Sequence, residues 1–286
     1  MNIAYRFRIY PTEEQKILLG KTFGCCRFLY NQMLNDKIRE YEKTKKMLKN
    51  TPAMYKKEYP FLKEIDSLAL ANVQLHLEKA YKNFFRDPKI GFPRFKSKHH
   101  SKNSYTTNVV NGNILVESKR IRLPKLKWIA MKKHREPAEG LRLKSVTVSM
   151  EPSGKYFASL LYEGYSCENQ AAGPDYSTAK ILGIDYAMQG MAVFSEKVET
   201  EEAGFFRKNE KRLAREQRKL SRCVRGSHNY ELQKKKVARC HEKIRNQRRD
   251  HLHKLSRKIA DSYDAVAVED IDMKAMGQCL HFGKSV

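Results

Sequence analysis

The stretch KILGIDYAMQGMAVFS (Lys180–Ser195) alternates from Ile181 to Asp185 as a buried strand does, turns at Gln189-Gly190 and resumes as Met191–Phe194. That is the pattern of a β-hairpin. It sets one carboxylate, Asp185, inside an otherwise apolar strand. An isolated buried carboxylate is costly unless it is paired, hydrogen-bonded or bound to a cation. Near the far end, YDAVAVEDID (Tyr263–Asp272) repeats the device with an apolar run closed by Glu269. Two strands that each deliver one acid, with a long basic segment between them, organise the reading of everything else.

The balance of charge says what surrounds those strands. Across 286 residues, 57 Lys and Arg stand against 32 Asp and Glu, a formal charge of +25. An excess this large implies a polyanionic partner, nucleic acid ahead of an acidic membrane surface. A merely solvated basic surface is the plainer alternative. No apolar run approaches the roughly 18 residues that a membrane span needs. The opening MNIAYRFRIY alternates charged and apolar residues and does not read as a signal peptide, so the expectation is a cytoplasmic protein without a membrane partner. Cys25, Cys26, Cys167, Cys223, Cys240 and Cys279 are scattered without a C-x-x-C pair. In a reducing compartment they read as free thiols, with no zinc site.

Taken in order, Tyr5–Tyr10 alternates as a strand and Pro11 stops it. Thr12-x-x-Gln15 is a capping box, and a helix follows whose apolar stripe continues through Phe28, Leu29, Met33, Leu34 and Ile38. Gly24 either breaks it or lets a second helix pack closely. Residues 43–57 are Lys-rich and read as a mobile loop, and Ser67–Phe85 as an amphipathic helix ended by Asp87-Pro88. From Gly91 the segment GFPRFKSKHH mixes rings and cations without helical period. Phe92 and Phe95 there suit either base stacking or plugging a local core. Short strands follow to Glu163, with Asn111-Gly112 as a hairpin turn. A small antiparallel β domain of this kind would recruit the first strand, since a lone strand is unstable. Gly164–Thr178 is small and polar, a linker. Phe205–Val224 and His228–Ala260 read as an antiparallel helical pair joined at Gly226-Ser227. Its charge is so one-signed that few i,i+4 ion pairs can offset the repulsion.

Two acids on neighbouring strands are what a two-metal phosphodiester hydrolase needs. One carboxylate bridges Mg²⁺ ions about 4 Å apart, and others complete each shell. Asp185 is the natural bridging ligand and Glu269 the second. Asp270 and Asp272 are alternatives, with Asp270 on the face opposite Glu269. The arrangement of acid-bearing hairpin, basic helical insertion and acid-ended strand is the skeleton of a nuclease of the RNase H/RuvC kind.

Along nearly its whole length the chain resembles TnpB (OrfB), the transposon-encoded RNA-guided nucleases. YRFRIYPTEEQ with GCCRFLYNQML resembles the family's opening strand and helix-turn-helix segment, and FPRFKSK, RLPKLKWIAMK and SVTVSMEPSGKYFASLLYE its β-rich middle. ILGIDYAMQGMAVFS and YDAVAVEDIDMKAM resemble its first and second RuvC motifs. LSRCVRGSHNYELQKKKVARCHEKIRNQRRDHLHKLS, the most specific match, resembles the basic helical insert. The resemblance implies an α+β, multidomain fold. Its parts would be a β-barrel wedge domain (1–10 and 88–163), a helical recognition lobe (11–87), a linker (164–178) and an RNase H-like RuvC α/β domain (179–286) with a helical insertion at 205–260.

It also implies DNA and a guide RNA as partners, Mg²⁺ as cofactor, and Asp185 and Glu269 as catalytic metal ligands. Nucleic-acid contacts are expected from Arg6, Arg8, Arg27, Arg94, Lys96, Lys98, Arg218, Arg222, Arg225, Lys234, Lys235, Arg239, Arg245, Arg248 and Arg249. Relatives continue into a zinc ribbon and a third motif with a last aspartate. This chain ends at Val286, so the RuvC domain is expected to be C-terminally truncated, with no zinc ligands, no third acid, and binding without efficient cutting. The alternative is a catalytically inactive guide-RNA and DNA binder.

Overall fold

The computed structural model describes residues 2–98, 100–164, 178–186, 192–198 and 204–271. The chain divides into two compact units, Met1–Glu168 and Asn169–Val286.

The first unit opens with β1 (Asn2–Tyr10), which buries Phe7 and Ile9 and exposes Arg6, Arg8 and Tyr10, as its period-two pattern requires. Helix α1 (Glu13–Thr44) starts at the capping box: the Thr12 side chain accepts from the Gln15 amide, and the Thr12 amide donates to Gln15 Oε1 at 3.0 Å. The same Gln15 side chain donates to the carbonyls of Leu126 and Trp128 at 2.9 and 2.8 Å, fastening the helix start to the sheet. Gly24 does not break α1, which runs on until Lys45 adopts the left-handed conformation at φ 57° and closes it.

The 43–57 segment is not an open loop. It carries α2 (Pro52–Glu58), and Tyr55 of that helix is buried. The Tyr55 hydroxyl donates to Asp36 at 2.7 Å, and buried Asn50 donates to the Tyr55 hydroxyl and the Met33 carbonyl. Polar anchors of this kind leave no hydrophobic period, which is why the composition misled.

Helix α3 (Ser67–Arg86) is capped by Asp66 and packs its Leu70, Val73 and Leu77 stripe on α1 and the sheet. The strands are β2 (Asn103–Asn108), β3 (Leu115–Val116), β4 (Arg120–Leu123), β5 (Lys127–Lys132), β6 (Arg142–Met150) and β7 (Tyr156–Glu163). With β1 they form one antiparallel sheet in the order β2-β6-β7-β1-β5-β4-β3. One apolar core runs through β1, α1, α3 and the sheet.

Asn111 and Gly112 do make a tight turn, at φ 49° and 68°. The strands they join nevertheless lie at opposite edges of the sheet, and β2 pairs with β6 instead. A flat sheet of this size would hold its edges about 29 Å apart, at roughly 4.8 Å per strand. The segment between Asn108 and Leu115 spans about 25 Å even when fully extended, at roughly 3.5 Å per residue. With a tight turn inside it, the segment can join the edges only because the sheet curls.

The second unit holds β8 (Ile181–Tyr186), β9 (Ala192–Phe194) and β10 (Ala265–Val268), in the order β10-β8-β9. Strand β8 is central, antiparallel to β9 and parallel to β10. A parallel pair needs a crossover, which here contains α4 (Phe205–Ser221) and α5 (His228–Ser262). Leu182 of β8 is fully buried against Leu255 and Ile259 of α5. The helices pack on each other around Leu213, Cys240 and Ile244. They are joined through Gly226, at φ +83°, and Ser227, whose hydroxyl accepts from the Tyr230 amide at 3.1 Å.

Candidate active site

Alternation along β8 turns Leu182 and Ile184 toward α5 and puts Ile181, Gly183 and Asp185 on the other face. Asp185 is therefore exposed, not sunk in an apolar strand as its neighbours in sequence suggest. The strand is apolar because one face of it is covered, and the acid belongs to the other face.

In the parallel ladder Ala267 pairs with Gly183 and Val268 with Ile184. Asp185 and Glu269 each come one residue after that last paired position, so register puts both carboxylates on one face at neighbouring strand ends. They line the same depression of about 420 Å³, together with Gly183, Val193 and Ser195. Asp270, exposed beside them, is not part of that lining; Asp272 lies outside the described residues.

Ser195 was not picked out from sequence, although it follows Val193 at a spacing of two and shares that face. Its hydroxyl accepts from the Gly183 amide at 2.9 Å, and its amide donates to the Gly183 carbonyl at 3.0 Å. A Cβ at position 183 would stand 3.3 Å from that of Ser195, so the strands approach this closely because residue 183 is glycine. At the other end of the ladder the Lys180 amide donates to Asp264 at 2.9 Å, and the Tyr263 hydroxyl donates to Glu196 at the same distance.

Two exposed carboxylates at adjacent strand ends form a hard-oxygen donor set, which suits a divalent cation that keeps several of its waters. Among the described residues no group of three or more His, Cys, Asp or Glu side chains converges. The residues from 272 onward lie outside the described set, as does most of the expected 164–178 linker.

The basic residues expected to meet nucleic acid fall into two groups. Along α4, the turn after it and α5, Arg218, Arg222, Arg225, Lys234, Lys235, Arg239, Arg245 and Arg249 are exposed and Arg248 is half-buried. Arg8, Arg94 and Lys98 of the first unit are exposed too, with Arg8 over the Tyr10 ring at 4.9 Å.

Three others meet groups of the protein itself, Arg6 while staying exposed and Lys96 and Arg27 half-buried. Arg6 donates to Glu151 at 2.5 Å and lies over the Phe157 ring at 3.9 Å. Lys96 lies 3.9 Å over the Tyr30 ring, with its backbone held by the Asn31 side chain in both directions. Burial pushes its ammonium below the usual lysine range. Half-buried Arg27 joins Lys96 in lining a cavity of about 180 Å³ between α1, α3 and β2. Lys96 was expected among the nucleic-acid contacts; the structure places it half-buried over the Tyr30 ring. No helix among the described residues is long and apolar enough to cross a membrane.

Comparison with known proteins adds an independent line. The OrfB_IS605 family, described as "Probable transposase", matches residues 164–279, and its helix-turn-helix domain matches residues 1–46. The chain is 32% identical over 287 residues to "Putative RNA-guided DNA endonuclease InsQ" of Escherichia coli K12, covering 96% of this chain and 67% of the relative. It is also 32% identical over 283 residues to "Putative RNA-guided DNA endonuclease" of Streptomyces pristinaespiralis, covering 95% and 67%. Among solved structures, a chain of the Cas12f1-sgRNA-target DNA complex aligns with 97% of this chain and 75% of its own length. That match has 13% identity and a TM-score of 0.31, too loose a likeness to carry an argument.

Proposed function

Since the chain belongs to the OrfB (TnpB) transposase family, we propose that it binds DNA under the direction of a guide RNA and carries the family's metal-dependent phosphodiester chemistry at Asp185 and Glu269. The observation that carries this reading is the register of β8 and β10, which gives the two acids one face and one depression. On this reading the three-stranded sheet with α4 and α5 is a RuvC-like unit. The curled seven-stranded sheet is its wedge barrel, and the helices of the first unit are its recognition lobe.

Asp185, on the central strand, and Glu269, just after β10, would together hold the Mg²⁺. The cation supplies Lewis acidity toward a phosphate oxygen and a water made acidic enough to attack. The protein's own part is positioning. Leu182 locks β8 against α5, so the Asp185 carboxylate is held on a strand rather than a loop. The hydrogen bonds between Ser195 and Gly183 clamp β9 beside it. The exposed cations of α4 and α5 neutralise phosphates and release counterions.

The test is nicking of a supercoiled plasmid by the protein purified with its bound RNA, with and without Mg²⁺. Asp185→Ala and Glu269→Ala should each lose Mg²⁺-dependent nicking while keeping RNA affinity. Nicking that survives Asp185→Ala would refute the site assignment. RNA binding without nicking by the unmodified chain would favour the non-cutting binder.

A further inference from the structure

We infer that the ring cluster at the C-terminal end of α3 is a stacking platform for unpaired bases of single-stranded RNA. Tyr81, Phe84 and Phe85 of α3 meet Phe92 of the following segment. The ring centroids are 6.3 Å apart for Tyr81–Phe85, 5.5 Å for Tyr81–Phe92 and 5.5 Å for Phe84–Phe92. Gly91, at φ +78°, is the hinge that lets the chain return Phe92 to the helix.

Tyr81 is buried and anchors the group, yet Phe85 is 67% and Phe92 46% exposed. Their neighbours thus fix these rings in orientation while leaving them open, so a base can stack without first ordering them. Lys82 and Arg86 on the same end of α3, and Lys89 and Arg94 in the segment that carries Phe92, are all exposed and without an ion-pair partner among the described residues. The acid within the group, Asp87, has its carboxylate engaged by the Lys89 amide at 3.0 Å.

Open rings with exposed cations beside them in the chain match a strand that offers both bases and phosphates. Duplex DNA keeps its bases stacked inside, whereas RNA presents them in loops and single-stranded ends. The inference rests on the nucleic-acid reading above and adds the partner's chemistry and the residues that meet it.

The experiment uses the full chain and a short single-stranded RNA carrying 2-aminopurine, whose fluorescence is quenched by stacking, with duplex RNA and single-stranded DNA of the same sequence as comparisons. Phe85→Ala should weaken binding of single-stranded RNA about five- to hundredfold and remove the quench. Its thermal unfolding and duplex affinity should not change. Phe85→Tyr, which keeps a ring, should retain affinity and quench. Arg86→Gln with Lys89→Gln should lower the salt slope but leave the quench at saturation.

Unchanged affinity and quench in Phe85→Ala would overturn the proposal, as would equal weakening on duplex RNA or a loss confined to DNA. An altered oligomeric state with RNA affinity intact would also overturn it, since the rings would then be a protein contact. Failure of the unmodified chain to bind any of the three nucleic acids would instead remove the nucleic-acid reading itself.

Discussion

Asp66 is a sensitive point of the first unit, because one buried carboxylate performs two tasks. Its Oδ1 accepts from the Leu68 amide at 3.0 Å and caps α3, while its Oδ2 accepts from the Thr107 hydroxyl of β2 at 2.5 Å. Asp66 is 8% exposed and Thr107 is fully buried. Removing the cap alone costs about 1 kcal/mol. Leaving the Thr107 hydroxyl buried without an acceptor adds about 1–3 kcal/mol, so Asp66→Ala should destabilise the unit by about 2–4 kcal/mol. Thr107→Val, close to isosteric, removes a hydrogen bond to a charged group and should cost about 1.5–3 kcal/mol. If the two losses share one bond, the double variant will fall short of the sum of the singles by more than about 1 kcal/mol. The sole tryptophan of the chain, Trp128, lies in β5, so its fluorescence in urea reports the unfolding of this unit. Additivity within about 0.5 kcal/mol would mean that the sites do not couple, and the proposed tie between α3 and β2 would be wrong.

Leu182→Ala should cost the second unit about 2–5 kcal/mol, since Leu182 is fully buried against Leu255 and Ile259. Hydrogen exchange at the Leu182 to Ile184 amides should accelerate, and unchanged protection would contradict the packing argument. Burial pushes the Cys26 thiol up from 9.0 to about 12. Burial, and the hydrogen bond to Asp36, raise the Tyr55 hydroxyl above its usual 10.0. Groups held protonated by folding contribute stability in full below their unfolded values, and that contribution is lost as pH rises through the folded ones. The Trp128 urea midpoint should therefore hold at neutral pH and fall once pH exceeds about 9. A midpoint still flat at about pH 11 would argue against these burials. Changing Arg218, Arg222 and Arg225 together to Gln should reduce the salt slope of single-strand binding by about 2, at roughly 0.7 per contact. An unchanged slope would take the α4–α5 turn out of the phosphate interface.

Local chemistry was legible along the chain. The Thr12–Gln15 capping box, the alternation of β6 and β7 and the Gly226-Ser227 break between α4 and α5 are all read from neighbours a few residues apart, and all are present. Asp185 and Glu269 stood out as acids within or closing apolar runs. Segment 43–57 was opaque because buried hydrogen bonds hold it, and such bonds have no periodicity. Ser67–Phe85 reads as an amphipathic helix, but the pattern does not say that Phe85 lies open at its end.

By itself the sequence determined most of the helices and strands outside segment 43–57, that the chain is strongly basic, and that residues two apart in a strand share a face. Only the tertiary structure decided which face is covered, which strands pair and which cations stay free. Period two places Leu182 opposite Asp185, but the packing of α5 on Leu182 is what leaves Asp185 open to solvent. The tight turn at Asn111-Gly112 is equally legible, yet β2 hydrogen-bonds to β6 and not to β3. Turns act between neighbours in the chain, whereas pairing and burial are settled by contacts between residues far apart in it.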